Sequence, residues 1–270
     1  MINKIKKYDL CIGCGLCEAV IGKEVCNMEL NDKGFYEPIV NEELNQKDSK
    51  LLKYICPGIH VETTPNKGAW GSMKSICEAW ATDKAIRYKA ASGGVVTSLA
   101  IFLLEHHAVD AILQVGVKAG SYLHNELKVS RTKDDILANA QSRYAPALVF
   151  SNIKRILESS SDTYAFIGKP CDIAGIKNYL SLFPKYKERI NFFISIFCAG
   201  MPSYNATERT WKQSGHTDEP ISLKYRGKDG PGISVQNLRM ATRMSFLITI
   251  VGERYLVSHL VSAVRYVPMV

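Results

Sequence analysis

Three cysteines at a spacing of three, Cys11, Cys14 and Cys17 in "CIGCGLC" (residues 11–17), are the residues of this chain best suited to chemistry. Thiolates at that spacing wrap three corners of a four-iron cluster, which takes a fourth cysteine from elsewhere, commonly one followed by proline. Two cysteines compete for the fourth place. Cys26 is nearer, but Asn27 follows it, whereas Cys56 precedes Pro57-Gly58, whose fixed backbone turns the chain away from a ligand. Cys56 is the expected fourth ligand, and Cys26 then reads as a small buried side chain. Gly13 and Gly15 leave space for backbone N–H groups to donate to sulfur. Zinc is the weaker alternative, because structural zinc sites typically pair two separated C-x2-C units and no second unit follows.

Cys171 in "GKPCDIAG" and Cys198 in "IFCAG" each end an apolar run where a loop enters a helix. In a parallel sheet such strand ends lie side by side, where open α/β sheets place their sites. A helix start also favours the thiolate, so Cys171 is expected to have a lowered pKa. The pair reads either as two small buried residues or as half of a second cluster. No cysteine follows Cys198. The histidines at 60, 106, 107, 124, 216 and 259 form no ligand spacing and read as structural or solvated. The sequence marks no general acid or base.

The elements that must position these groups fit an ordinary globular chain of 270 residues, 46% hydrophobic and 22% charged, enough for one large or two modest domains. The opening "MINKIKKYDL" has no signal-like apolar core, and the longest apolar stretch, Val95 to Leu104, is too short for a membrane span. A cytoplasmic location is expected, where eight cysteines argue for metal or redox chemistry over disulfides. The net charge of +8 fits an acidic partner or an anionic cofactor, but the basic residues are scattered among acids, so nucleic-acid binding is not expected.

Residues 1–66 read as a small α+β, ferredoxin-like domain for the four-iron cluster. Residues 67–74, within "TTPNKGAWGS" (63–72), read as a linker, and 75–238 as an α/β domain with a largely parallel or mixed sheet. Strands are expected in "SICEAWA", "VDAILQVGV", "TYAFIG" and "INFFISIFC". Helices are expected in "GGVVTSLAIFLLEHH", in "TKDDILANA" from Thr132, in "APALVFSNIKRILE", in "KPCDIAGIKNYLSLF" and in "AGMPSYNATERTW".

Several short segments in one order resemble the beta subunits of coenzyme F420 hydrogenases and dehydrogenases and their bacterial relatives. They are Ser92-Gly93-Gly94 opening an apolar helix, "SRYAPAL" (142–148), "GKPCDIAGIK" (168–177), "FCAG" (197–200) and "YRGKDGPG" (225–232), after the cysteine run. The resemblance implies FAD in the α/β domain and iron–sulfur clusters exchanging electrons with it, which makes a converter between two-electron and one-electron chemistry. It offers Ser92, Gly93 and Gly94 as a pyrophosphate cradle, with Arg143 as anion contact and Tyr144 as ring stack. Without it, Ser92 is an ordinary N-cap, Arg143 and Tyr144 are surface and core, and Arg226 is equally open. Expected partners are a ferredoxin-like electron donor or acceptor and a small hydride-accepting substrate, coenzyme F420 among them. The alternatives are a cluster-bearing electron-transfer module without flavin, and a partly inactive copy serving a polysaccharide pathway.

The resemblance also implies a later C-x2-C pair in a Cys-x-x-Cys-Pro-Asp-Gly segment, which the tail at 239–270 lacks. In the reading frame two bases along, Met240-Ala241 and Met269-Val270 both encode glycine, and permitted codons elsewhere spell an ending CKICPDG. The tail therefore reads as an aberrant, frameshifted stretch that packs poorly; the gene's own nucleotides decide this. As it stands, the second cluster would have only Cys171 and Cys198.

Overall fold

Alternation in two apolar strands sets the architecture. In the computed structural model, which describes residues 2–41, 43–61, 75–213, 220, 222–227, 230–236 and 244–246, β3 (Ala111–Val117) and β6 (Tyr164–Gly168) are almost wholly buried. Ala111, Leu113, Tyr164 and Phe166 face one apolar cluster, and Ile112, Ala165 and Ile167 face another. Burial on both faces belongs to central strands with cover on each side. Accordingly they sit in the middle of a five-stranded sheet ordered β5-β4-β3-β6-β7, with β4 (Asn125–Ser130), β5 (Ala147–Leu148) and β7 (Ile190–Ser195).

The sheet is mixed. β3, β6 and β7 run parallel, β4 is antiparallel to β3, and β5 is parallel to β4. The short connection from α5 (Val95–Glu105) to β3 brings that helix back across one face, together with α4 (Lys84–Lys89) and α6 (Lys133–Ala138). Thr132 caps α6 as expected, accepting from the Asp135 N–H at 3.1 Å while the Asp135 carboxylate accepts from the Thr132 N–H at 3.0 Å. The other face carries α7 (Ile153–Glu158) and α8 (Pro170–Leu182). Past α9 (Tyr204–Gln213), β8 (Ser222–Gly227), β9 (Gly230–Gln236) and β10 (Met244–Phe246) pair as an antiparallel sheet.

The N-terminal stretch supplies α1 (Ile2–Lys7), α2 (Leu16–Ile21), the hairpin of β1 (Cys26–Leu30) and β2 (Tyr36–Val40), and α3 (Gln46–Ile55). Cys14, Leu16, Leu52 and Ile55 belong to the same core as Leu113, Phe166 and Ile176. The buried Asn178 side chain on α8 donates to the carbonyls of Ile55 (3.1 Å) and His60 (2.9 Å), and the Phe150 N–H donates to Cys14 O (2.8 Å). These residues are therefore bonded into the α/β core as well as packed on it.

Two elements differ from expectation. "SICEAWA" is irregular, the Ala81 N–H going to Gly93 O (2.7 Å) instead of to a strand. The stretch 145–158 is not one helix, because β5 joins β4 and the turn after it is bonded to Cys14 before α7 begins. The linker at 67–74 lies outside the described residues, as does the tail apart from Met244–Phe246.

Candidate metal centre and cofactor site

The cysteine loop runs between α1 and α2. Gly13 has φ +64, and a Cβ there would meet the Tyr36 carbonyl oxygen at 3.0 Å, so the turn needs glycine both for its backbone and for space. Pro57 and Phe150 close on Gly175 of α8, where a Cβ would meet the Phe150 ring at 2.8 Å. This contact holds the Cys56 turn on the α/β core.

Cys11, Cys14 and Cys56 are close enough to influence one another's ionisation, and Cys17 feels Cys14 and Cys11. Burial pushes the thiols of Cys11, Cys14 and Cys56 up. Backbone N–H groups oppose this, from Gly13 at Cys11, Leu16 at Cys14, and Gly58 and Ile59 at Cys56. The rival ligand is close as well. Cys17 donates toward Cys26, which holds Cys17 protonated and favours the thiolate at Cys26; Cys17 also lies 3.6 Å from the Met28 sulfur.

Among the described residues no three His, Cys, Asp or Glu side chains are placed to hold one metal ion. One ion draws all its ligands onto a single atom, whereas a four-iron cluster takes one thiolate per iron. Four thiols joined by sequence spacing and mutual influence, with N–H donors aimed at three of them, fit the second requirement in their chemistry. Burial raises Cys11, Cys14 and Cys56, with nearby Lys6 only partly opposing it at Cys11, and the Cys26 contact raises Cys17; binding iron would release those protons.

The second group of candidates gathers at one end of the large sheet. The pairings Val117 with Asn125, Asn125 with Ala147, and Gly168 with Ser195 bring these strand ends to one edge. The starts of α5 and α8, the Arg143-Tyr144 segment before β5, and Cys171 and Cys198 therefore share it. Cys171 and Cys198 are near enough to influence each other. The expected lowering of the Cys171 pKa is reversed: burial, followed by the adjacent Asp172 carboxylate, pushes the thiol up to about 12. Desolvation outweighs the helix-start effect there.

Asp172 and Lys169 escaped the sequence reading; their one signal was an acidic residue in the first turn of a helix beside a cysteine. Asp172 is 1% exposed, its Oδ2 accepts from Lys169 Nζ (2.7 Å) and from the Lys169 N–H (3.0 Å), and its Oδ1 has no partner among the described residues. Although burial works against it, the Asp172 carboxylate helps keep Lys169 charged. Asp172 also raises Cys14, so one buried carboxylate influences a thiol of each set.

Ser92, Gly93 and Gly94 have φ of +50, +71 and +77. Ser92 is thus not the N-cap of α5; Gly94 is, and no side chain caps that helix. Its first-turn N–H groups have the arrangement that holds phosphate. Arg143 is engaged elsewhere. Its Nε donates to Asn125 Oδ1 (2.7 Å), Nη1 to Leu223 O (2.7 Å) and Nη2 to Tyr122 O (3.2 Å), and its guanidinium lies 5.0 Å from the Tyr225 ring centroid. Tyr144 meets the Tyr225 ring edge-on at 5.7 Å. The side chain of Arg226 lies outside the described residues.

Comparison with known proteins gives two adjacent matches. Residues 76–154 match the model of the coenzyme F420 hydrogenase/dehydrogenase beta subunit N-terminal region. Residues 161–229 match the model of the C terminus of the same subunit. The chain is 22% identical over 244 residues to the coenzyme F420-dependent sulfite reductase of Methanocaldococcus jannaschii, covering 85% of this chain and 37% of that protein. It is 26% identical over 137 residues to the coenzyme F420 hydrogenase subunit beta of Methanococcus voltae, covering 50% of this chain and 49% of that one. The chain thus spans at most about half the length of these curated relatives. A xenon-derivatised F420-reducing NiFe hydrogenase complex from Methanosarcina barkeri aligns at a TM-score of 0.49 and 20% identity, over 63% of this chain and 59% of that one. No helix among the described residues is long and apolar enough to cross a membrane.

Proposed function

The chain belongs to the coenzyme F420 hydrogenase/dehydrogenase beta subunit family, and from that premise we propose that it is an oxidoreductase electron-transfer subunit carrying a four-iron cluster and FAD. The observation that supports this reading is the proximity of Cys56 to Cys11 and Cys14, and of Cys17 to the same two, with backbone N–H groups directed at three of the four sulfurs. These four would hold the cluster, and the uncapped start of α5 at Ser92, Gly93 and Gly94 would hold the FAD pyrophosphate. Cys171 and Cys198 would serve a second, incomplete cluster. When bound, the flavin exchanges two electrons as hydride with a substrate such as coenzyme F420, while the cluster exchanges one at a time.

The protein's own residues supply the surroundings. Gly13, Leu16, Gly58 and Ile59 donate N–H groups that favour thiolate over thiol. Cys14 is buried, and Pro57 packs on Gly175 beside Cys56. Asp172, buried and ion-paired to Lys169, is near enough to influence both Cys14 and Cys171.

A second reading, an electron-transfer module without flavin, is favoured by Arg143, whose three nitrogens all donate within the protein. Anaerobic purification followed by iron, acid-labile sulfide and flavin analysis separates the two. About four irons with one flavin per chain supports the first reading. Four irons without flavin supports the second, and absence of iron overturns both.

A further inference from the structure

The thiols of Cys11 and Cys56 lie beside exposed apolar side chains. Tyr8 (66% exposed), Leu10, Tyr54, Ile59 and Val61 (54% exposed) come from the two stretches that directly flank those cysteines. The stretches touch: a Cβ on Gly58 would collide with the Leu10 carbonyl oxygen and meet the Leu10 Cβ at 3.5 Å. Tyr54 stacks on His60 with ring centroids 5.4 Å apart. Exposed apolar side chains gathered on neighbouring stretches in this way mark an interaction site.

The charge around it has one dominant sign. Residues 2–10 and 46–61 contain six lysines, at 4, 6, 7, 47, 50 and 53, against Asp9 and Asp48. Among the described residues only Lys6 of these six pairs with a carboxylate, that of Glu37 at 2.9 Å. A cleft of about 660 Å³ beside the patch is lined by Lys47, Lys50, Tyr54, Leu182 and Pro184.

We propose that this surface docks a small acidic protein that carries single electrons. The inference rests on the electron-transfer reading above and names its partner. An apolar centre excludes water beside the half-buried thiols of Cys11 and Cys56, and a basic rim steers an acidic partner into place and fixes its orientation. The carrier gives up one electron and this chain gains one; no bond is made or broken, and no proton is needed. A second copy of the chain is the poorer occupant, because it would set lysines against lysines.

The test titrates the full-length chain with a small acidic two-cluster bacterial ferredoxin, by calorimetry at low and at physiological salt. The expected result is binding that weakens about tenfold or more with the added salt. The double variant Lys7→Glu/Lys53→Glu weakens it by at least as much, and Tyr8→Ser weakens it at both salt concentrations. Lys133→Glu, on the α6 face, leaves it unchanged. Equal affinity in all variants overturns the proposal. So does sedimentation showing that the patch pairs two copies of the chain, or tighter, patch-dependent binding of anionic vesicles or nucleic acid. Iron is measured in every sample. Carrier binding by an iron-free chain would overturn the cluster assignment while leaving the docking surface standing.

Discussion

At the scale of single residues, Arg143 shows how a motif residue can be committed to the fold. Its guanidinium joins the start of β4, the Tyr122 loop and β8 through Asn125, Tyr122 and Leu223. Arg143→Ala removes these three bonds, one of them to the side chain of an Asn125 that is 2% exposed. A loss of about 3 kcal/mol is expected in urea unfolding. The fourth-ligand question is equally local: Cys56→Ser should lose most of the iron of anaerobically purified protein, and Cys26→Ser should keep it. The reverse pattern would move the fourth ligand to Cys26. His124 supplies a pH dependence. Burial, then nearby Lys118, lowers its folded pKa against a weaker opposing effect of Glu208. Its contribution to stability is therefore complete above the unfolded value of about 6.5 and is lost as pH falls through the folded value. Thermal melts of His124→Gln should show a shallower decline between pH 7 and pH 5 than those of the parent chain.

At the scale of elements, the start of α5 invites a direct comparison. A Cβ at Gly94 would sit 3.1 Å from the Ala81 Cβ and 3.2 Å from the Arg87 Cα, while one at Gly93 would come no nearer than 3.4 Å to the Trp80 Cβ. Both residues are left-handed. Gly93→Ala should therefore cost about 1–2 kcal/mol for its backbone alone, and Gly94→Ala distinctly more, measured by chemical denaturation. What the sequence made legible was local. Thr132 announces α6, "KPCDIAGIKNYLSLF" announces α8, and the apolar runs "VDAILQVGV" and "TYAFIG" announce β3 and β6. What escaped depends on distant partners. β5 is two residues long and exists because β4 lies beside it, and β4 hid in the half-polar "NELKVS". The Cys171 pKa runs opposite to the helix-start expectation because burial, which spacing cannot reveal, exceeds that effect.

At the scale of the whole molecule, the boundary read between residues 1–66 and the rest leaves no mark on the core, since Cys14, Leu16, Leu52 and Ile55 share one cluster with Leu113, Phe166 and Ile176. Composition and cysteine density change along the chain, but packing is set by which apolar faces meet. One cooperative unfolding step is the consequence. Tryptophan fluorescence and the labelling of Cys14 by a thiol reagent should change at the same urea concentration. Labelling at lower urea, with fluorescence intact, would show that the cysteine segment unfolds by itself.

The bond from Phe150 to Cys14, and those from Asn178 to Ile55 and His60, also set an order in time. The cysteine loop is made early, yet the residues that seat it are translated more than a hundred positions later. At ~5–20 residues per second the thiols wait on the order of ten seconds or more before the walls of their site exist. During that interval they are open to oxidation along the sulfenic and sulfinic series. If the proposed cluster is bound there, its loading is a contest between chain growth and oxygen, and slower translation in air should yield more chains whose cysteines are spent before the fold can shelter them.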